Sequence, residues 1–555
     1  MTVADIETAT TGTAWALCPS CDRMIYRKRY ERAHRVCPEC DGHGMLTAAQ
    51  RIALLLDPDS AQPIATADTV TGACPERGAA APEVTALPAA IGCVRGTVGG
   101  TPIVLAVMDF RSRGGSSGRA VGAAVTAAAA AALADRAPLV VVTASGGERR
   151  QEGIAALLQT AEASRALRRL DAAGVPTISV ITDPTDGGIV ASFATSTDII
   201  VAEPGARLGF TGPRAIQQTA GQTLPAGVQT AESLLAHGIV DMICHRTSLR
   251  IRLARLVEAA DRPPRRAAPG DVAAVGTDPA APTAREPWDR VRAARRRDRP
   301  TGLDYFTTVF DDFVELHGDR MSADCPALIA GTARLDGLPV VVLGTRKGHT
   351  GPELTARNYG MLTPAGHRKA VRIMRLAAKL GRPVVALVDT AGAHPGIEAE
   401  EQAQAVAIAE SLDLLAELPV PVVAVITGDA DSGRTLALAL ADRVLVCGNA
   451  SYSVISPQEC ATIRWKASAA APKVAAGLRV DAVALLELGI ADAIVPEPEG
   501  GADRDPVAAA ALLQRALRQA VHELRDLPTA DLITQRHSRF RGDSPNRTEN
   551  MATDE

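Results

Sequence analysis

Val180 to Gly188 reads VITDPTDGG, and Val425 to Gly433 reads VITGDADSG. Each is a short apolar β-branched run that ends in an acidic, glycine-bearing turn, the pattern of a buried strand delivering a turn at its C-terminal end. The two copies start 245 residues apart, at 180 and 425. The same spacing separates the glycine of ASGG at Gly147 from that of TAG at Gly392. Two glycine turns and a strand held at one spacing without an insertion between them predict a duplicated domain.

Length agrees, since 555 residues exceed one ordinary core and suit two domains of roughly 200 to 250 residues. Apolar residues make up 46% of the chain but aromatics only 3%, so Ala, Val and Leu must fill the cores. A net charge of −4 gives no global attraction to nucleic acid or anionic membranes. Met1 to Ala16 lacks a basic stretch followed by an apolar one, and the longest apolar runs, such as Ala123 to Ala134, are helix-sized. The expectation is a cytoplasmic protein with no signal peptide and no transmembrane span.

Ten cysteines fall into two groups. Cys18, Cys21, Cys37 and Cys40 form C-x2-C-x15-C-x2-C, in which CPSC and CPEC are knuckle-like turns. Each pair supplies two thiolates from one tight turn, which suits a tetrahedral zinc ribbon better than two disulfides of a secreted module. Cys74, Cys93, Cys244, Cys325, Cys447 and Cys460 are scattered and read as reduced core residues.

Outward from the two VIT strands, composition sets the organisation. Thr71 to Pro88 is rich in Gly, Pro and Ala and reads as a loop. PIVLAVMDF, PLVVVTASGG, PTISVITDP and DIIVAEP are strand-like, and PVVVLGTRKG, PVVALVDTAG, PVVAVITGD and DRVLVCGNASYSVIS repeat them, alternating with helical stretches. Strands ending in glycine turns that open helices indicate an α/β fold with ligand sites at the strand ends. The expected division is a ribbon at 14–45, a first domain at 46–261, a linker at 262–300, a second domain at 301–540 and a disordered tail at 541–555. Within the linker, ARRRDR reads as a solvated basic helix end in preference to a nucleic-acid patch.

The ordered set CPSC, CPEC, RGGSSG, TASGGERRQEG, ITDPTDGG and GFTGPRAIQQT resembles the β subunit of the bacterial acetyl-CoA carboxylase carboxyltransferase. HGDR, RKGH, RNYGMLTPAGHRKA, DTAGAHPG, SYSVISPQECATIRWK and IVPEP resemble its α subunit. The two subunits stand here fused, β before α, with only EPWDRVRAARRRDRPTGLDY resembling the end of the α subunit's helical extension. The resemblance implies two crotonase-like domains, each a ββα spiral, with active sites between a β-type and an α-type domain and hence a homodimer of the fused chain. It also implies structural zinc, a coenzyme A thioester as substrate, carboxybiotin on a biotin carboxyl carrier protein, and biotin carboxylase as a partner. The implied reaction passes a carboxyl group from carboxybiotin to the α carbon of acetyl-CoA or a related acyl-CoA. Both partners develop oxyanions that need fixed N–H donors.

On that resemblance the oxyanion turns map to Gly187 and Gly188 in the first copy and to Gly433 and Arg434 in the second. Arg113, Gly114, Gly115, Ser116, Gly146, Gly147, Lys347, Gly348 and Gly392 are the candidates for coenzyme A or biotin contacts, with Arg346, Arg357 and Lys369 as further cations nearby, the last two reading equally well as part of a solvated helix face. His349, His367 and His394 read as structural. The second turn departs from the family's usual GEGGSGGA: it carries Ala430, Asp431 and Arg434 where glycines are usual. Ala391 and Asp186 replace a usual Pro and Met. Asp431 adds a negative charge beside the turn unless Arg434 pairs with it. The alternative reading is therefore a carboxyltransferase-like protein with altered chemistry, an acyl-CoA decarboxylase or a non-catalytic subunit.

Overall fold

A computed structural model describes residues 14–65, 90–260, 286–431 and 435–540. The chain divides into two compact units with the boundary at Arg262. The first begins with the ribbon, an antiparallel hairpin of β1 (Trp15–Leu17) and β2 (Met24–Tyr26). Its sheet is built from β3 (Gln62–Pro63), β4 (Ile91–Val98), β5 (Thr101–Met108), β6 (Leu139–Gly146), β7 (Thr177–Asp186), β8 (Ile199–Ala202), β9 (Leu208–Gly209) and β10 (Met242–Ile243). Its order is β10-β8-β7-β6-β5-β4-β3, with β9 beside β7. The second sheet comprises β11 (Asp311–Glu315), β12 (Leu328–Leu335), β13 (Leu338–Thr345), β14 (Val384–Thr390), β15 (Val422–Asp431), β16 (Arg443–Cys447), β17 (Ser451–Ser453) and β18 (Ala493–Val495). Here the order is β11-β12-β13-β14-β15-β16-β18, with β17 beside β15.

Both sheets are mixed, with an antiparallel hairpin leading into parallel strands. Leu139, Val140 and Val141 are inaccessible to solvent, as are Val422 to Ile426. Near-continuous apolar runs are what a sheet covered on both faces requires, and each such side chain contributes about 1.5–3 kcal/mol relative to exposure. Small residues bring the helices close: in α1 (Arg119–Asp135), Ala128 and Ala132 are fully buried, and α1 packs against α2 (Ile154–Ala172). This is how a chain with so few aromatics makes a core.

The duplication extends beyond the motifs that suggested it. β7 and β15 begin and end 245 residues apart, at 177 and 422 and at 186 and 431. Both break register at the same place: the β6–β7 ladder jumps between Thr143 and Ser145, and the β14–β15 ladder between Val388 and Thr390. The one-turn helices Arg113–Gly115 and Asn358–Gly360 share the spacing, and so do the bridges Ser117–Glu148 and Leu362–Ala393. At the leading hairpins the offset is 237 instead, as between Ile91 and Leu328. The second copy thus has extra residues after β13, where the RKGH segment leads into a helix at Gly351–Ala356.

One expectation about organisation is corrected. Of the stretch read as a linker at 262–300, residues 262–285 lie outside the described residues, but Pro287–Ala294 forms helix α3, with Val291, Ala293 and Ala294 buried. Proline at its start suits the first turn. The tail at 541–555 and the loop from Thr71 to Pro88 also lie outside the described residues. Among the described residues no helix is long and apolar enough to cross a membrane.

Candidate active site

In the ribbon, the Sγ atoms of Cys18 and Cys40 lie 3.7 Å apart and those of Cys21 and Cys37 3.9 Å apart. All four fall within 4.8 Å of one another. A regular tetrahedron with Zn–S bonds of about 2.3 Å places its sulfurs about 3.8 Å apart, so the set fits zinc, whereas a disulfide requires about 2.05 Å. Knuckle geometry supports the thiolates: the Ser20 N–H donates to Cys18 Sγ and the Glu39 N–H to Cys37 Sγ, both at 3.4 Å. Of the remaining cysteines, Cys93, Cys244, Cys325 and Cys447 are buried and unpaired; Cys74 lies outside the described residues.

A buried ion cluster ties the ribbon to the first sheet. Glu203, just after β8, receives both Arg51 and Arg246, and Arg246 also donates to the carbonyls of His34 and Gly44 in the ribbon, at 2.7 and 2.8 Å. Burial alone would raise the Glu203 carboxyl, but the two guanidiniums hold it well below the usual carboxylate range. A cavity of about 160 Å³ lies between His43 and Met45 on the ribbon side and Ala144 and Thr182 on β6 and β7.

The first-copy turns converge at the C-terminal ends of β6 and β7. Arg113, Gly114 and Gly115 are all left-handed, at φ of 55°, 64° and 63°. A Cβ on Gly115 would lie 2.2 Å from the Ala144 carbonyl oxygen, so only glycine fits. Ser117 N–H donates to Gly147 O and Arg149 N–H to Ser117 O, each at 2.8 Å, which straps RGGSSG onto SGGERR. Gly187 stands over Gly147: a Cβ on it would come within 2.6 Å of the Gly147 Cα. The structure therefore brings Arg113 to Ser116, Gly146, Gly147, Gly187 and Gly188 to one place. Within the glycine pair, however, the two N–H groups differ. Gly187 N–H donates to Gly209 O at 3.2 Å, whereas that of Gly188 has no partner among the described residues. The Glu148 carboxylate lies against this turn, 2.5 Å from where a Gly188 Cβ would stand. Asp186, at the end of β7, is paired with Arg207 at 2.8 Å.

In the second copy, Asn358, Tyr359 and Gly360 repeat the left-handed run, at φ of 48°, 54° and 78°. Thr390 Oγ1 accepts from Gly392 N–H at 3.1 Å, as Ser145 Oγ accepts from Gly147 N–H at 3.0 Å. Lys347 Nζ donates to Asp389 Oδ1 at 2.5 Å, and the same oxygen accepts the Asp429 N–H at 2.9 Å. Gly348 lies beside Lys347 at φ of 136°, and Gly392 follows β14. Gly433 and Arg434, like Ser432, lie outside the described residues.

Several side chains fall elsewhere than the sequence suggested. ARRRDR is not a solvated helix end. Arg295 Nε donates to Asp429 Oδ2 at 2.6 Å and its Nη2 to Asp431 Oδ2 at 2.7 Å, while Arg299 is buried against Glu497 at 2.8 Å. The described partner of Asp431 is therefore Arg295. Burial, the Asp429 charge and Glu459 push Asp431 up to about 7, against Arg295 and Lys347, which pull it down. Lys369 is fully buried, held by Asp324 and the Leu328 carbonyl, and does not face an open site. His367 is buried in α4 (Pro364–Leu380) and pulled down to about 4 by that burial, in keeping with a structural role. Sequence reasoning missed Arg295, Asp389 and Glu148; the available signal for Asp389 was a lone carboxylate closing the apolar strand VVALVDT.

Solved structures share this architecture. Transcarboxylase 12S with methylmalonyl-coenzyme A and methylmalonic acid bound superposes with a TM-score of 0.69 at 23% identity, covering 88% of this chain and 92% of that one. The two chains thus share one fold. The family description "Acetyl-CoA carboxylase zinc finger domain" matches residues 15–40, and "Acetyl co-enzyme A carboxylase carboxyltransferase-like" matches residues 282–543. The acetyl-coenzyme A carboxylase carboxyl transferase subunits beta/alpha of a Parafrankia species are 55% identical, with 96% of this chain and 92% of the relative covered. Those of Salinispora arenicola are 52% identical, with 96% of each covered. The chain belongs to the family of fused β/α carboxyl transferase subunits of acetyl-coenzyme A carboxylase.

Proposed function

We propose that the chain is the carboxyltransferase of an acyl-CoA carboxylase, passing a carboxyl group from carboxybiotin on a carrier protein to acetyl-CoA or a related acyl-CoA. The observation that carries this reading is the first-copy turn at the end of β7, whose Gly188 N–H has no partner among the described residues, on a strand that the second copy repeats as β15 at the same spacing. Carboxyl transfer develops negative charge on the thioester oxygen and on the biotin urea oxygen, so it needs donors fixed in place before reaction. On this reading Gly188 N–H serves one oxyanion and the Gly433–Arg434 turn the other. Lys347 uses one of its three donors on Asp389 and presents the others to a substrate anion. Arg113 to Ser116, Gly146 and Gly147 line the coenzyme A path of the first copy, which the ribbon caps, and Gly348 and Gly392 line that of the second. Pairing of Asp431 with Arg295 offsets part of its charge, which weakens the ground for the decarboxylase and non-catalytic alternatives.

The domain division at 14–45, 46–261 and 301–540, a cytoplasmic location, biotin carboxylase and the carrier protein as partners, and a homodimer with two equivalent sites belong to the same reading. Its test is malonyl-CoA-dependent carboxylation of free biotin by the purified chain, with a panel of acyl-CoAs in the forward direction. Absence of transfer with every substrate overturns it, and light scattering that finds a monomer at micromolar concentration overturns the dimer.

A further inference from the structure

At the end of β15, Asp429 and Asp431 point to the same side because strand side chains alternate. One guanidinium serves both: Arg295 gives Nε to Asp429 and Nη2 to Asp431, and its Nη1 donates to Gln458 Oε1 at 2.8 Å. Arg295 thereby joins the C-terminal end of α3, the end of β15 and the helix Pro457–Trp465. From Asp429 the connection continues. Its Oδ1 accepts from Ser451 Oγ at 2.8 Å, and its N–H donates to the Asp389 carboxylate that also holds Lys347. The first copy has a simpler arrangement, with Arg207 on Asp186. In the second, among the described residues, two cations, Arg295 and Lys347, meet three carboxylates, those of Asp389, Asp429 and Asp431. Glu459, on the helix Pro457–Trp465, adds a further negative charge facing Asp431. Asp431 and Arg295 are both largely buried, so water neutralises little of the excess.

We propose that Arg295 is a positioning residue for the second-copy site and that Asp431 is the group there which takes up and releases a proton, so that the state of this pair sets how Asp429, Asp389 and Lys347 are held. The proposal rests on the carboxyltransferase reading for its effect on turnover, but not for the proton itself. With Asp431 neutral, Arg295 serves Asp429 alone and the excess negative charge is gone. With Asp431 ionised, the guanidinium is shared and the carboxylates repel one another. The pKa of Asp431, raised to about 7 by burial and by Asp429, places this change in the physiological range.

Two readouts on the full-length chain test it. Trp288 lies in α3, half-buried, seven residues before Arg295. With Trp15 and Trp465 replaced by Phe, its fluorescence reports the seating of that helix without any substrate. The expected result is a fluorescence transition near neutral pH that Asp431→Asn abolishes. Alongside it, kcat for carboxyl transfer should show an inflection in the same range, lost in Asp431→Asn, with Arg295→Met lowering kcat about tenfold at little change in KM and Arg295→Lys recovering part of the loss. A fluorescence transition that persists unchanged in Asp431→Asn overturns the proposal, as does an Arg295→Met enzyme with wild-type kcat across the pH range. If the parent protein transfers no carboxyl group at all, the carboxyltransferase reading fails, and the fluorescence arm still decides the proton assignment.

Discussion

Replacing Gly187 and Gly188 separately by alanine distinguishes a catalytic turn from a merely tight one. Gly187 sits at φ of 85°, and a Cβ there would meet the Gly147 Cα, a backbone atom, at 2.6 Å. A left-handed conformation costs a non-glycine residue about 1–2 kcal/mol, and backbone overlap adds to that. Gly187→Ala should therefore destabilise the first unit and disturb both turns. Gly188 is different. Its φ is not left-handed, and the atoms a Cβ would meet are side-chain ends, Glu148 Oε1 at 2.5 Å and Thr160 Oγ1 at 3.0 Å. Rotating Glu148 aside costs on the order of 0.5–1.5 kcal/mol, which shifts Tm by only a few degrees in a domain of this size. Yet the methyl group and the displaced carboxylate would crowd the unpartnered N–H. Losing one oxyanion donor costs about 2.7–4 kcal/mol, or roughly 10²–10³ in kcat. The expected result in the biotin carboxylation assay is a Gly188→Ala protein with near-parental melting and at least a hundredfold lower kcat. If Gly188→Ala keeps kcat within a factor of three, the Gly188 N–H is not the donor and the turn is structural.

The remaining predictions concern metal, burial and pH. Elemental analysis should find about one zinc per chain, lost together with part of the thermal stability in Cys37→Ser, because the four thiolates are otherwise held together against their own repulsion. Arg299→Met should cost about 3–5 kcal/mol by stranding Glu497 in the interior. Although burial opposes it, Arg299 pulls Glu497 down to about 2, so its stabilisation is present above the ordinary glutamate range near 4.5 and is lost as pH falls towards 2. Denaturation midpoints of the Met variant should accordingly be flatter across acid pH. Asp431 has the opposite sign: its folded-state pKa is raised from 3.8 to about 7, so its contribution is complete below about pH 4 and lost as pH rises to 7. Asp431→Asn should then melt higher than the parent at pH 8, by at most about 4 kcal/mol at 1.36 kcal/mol per pKa unit.

The repeat was legible because it is written in residue types that tolerate little exchange. A strand buried on both faces keeps Val and Ile, and a turn such as that at Gly115 admits only glycine, so VITDPTDGG and VITGDADSG kept their spacing visible. The ribbon was legible for a similar reason, since two C-x2-C pairs at this separation are a pattern specific to zinc ligation. What was not legible depends on partners distant in sequence. Arg295 lies in a run of Pro, Ala and Arg whose composition signals a linker, and its acids stand 134 and 136 positions away. Lys369 reads from sequence as a substrate-facing cation or as part of a solvated helix face, because no local pattern announces Asp324 on the other side of it. Equally, nothing in the dipeptide distinguishes Gly187 from Gly188; the distinction comes from Gly209, brought alongside by the pairing of β9 with β7.

The two copies share a frame and differ in how charge is managed on it. From Arg113 to Asp186, and again from Asn358 to Asp431, the strands, the left-handed turns, the bridge and the register break coincide. Each frame ends on an aspartate, Asp186 and Asp431, and on the proposed reading a carboxylate then stands beside a place where negative charge develops. Left unpaired it would oppose the reaction, because at low effective dielectric a like charge a few ångströms away costs several kcal/mol. In the first unit the neutralising Arg207 comes from within the repeat, just before β9. In the second, Arg295 comes from α3, which precedes that unit's repeat, and it must serve two aspartates. On that reading the segment before Thr301 is part of the second site's electrostatics. An Arg295→Met chain keeps Arg299 on Glu497 and loses only the cation shared by Asp429 and Asp431, and it should show depressed carboxyl transfer with little loss of sheet structure by circular dichroism. If such a chain turns over normally, the Arg295 clamp has no part in the site.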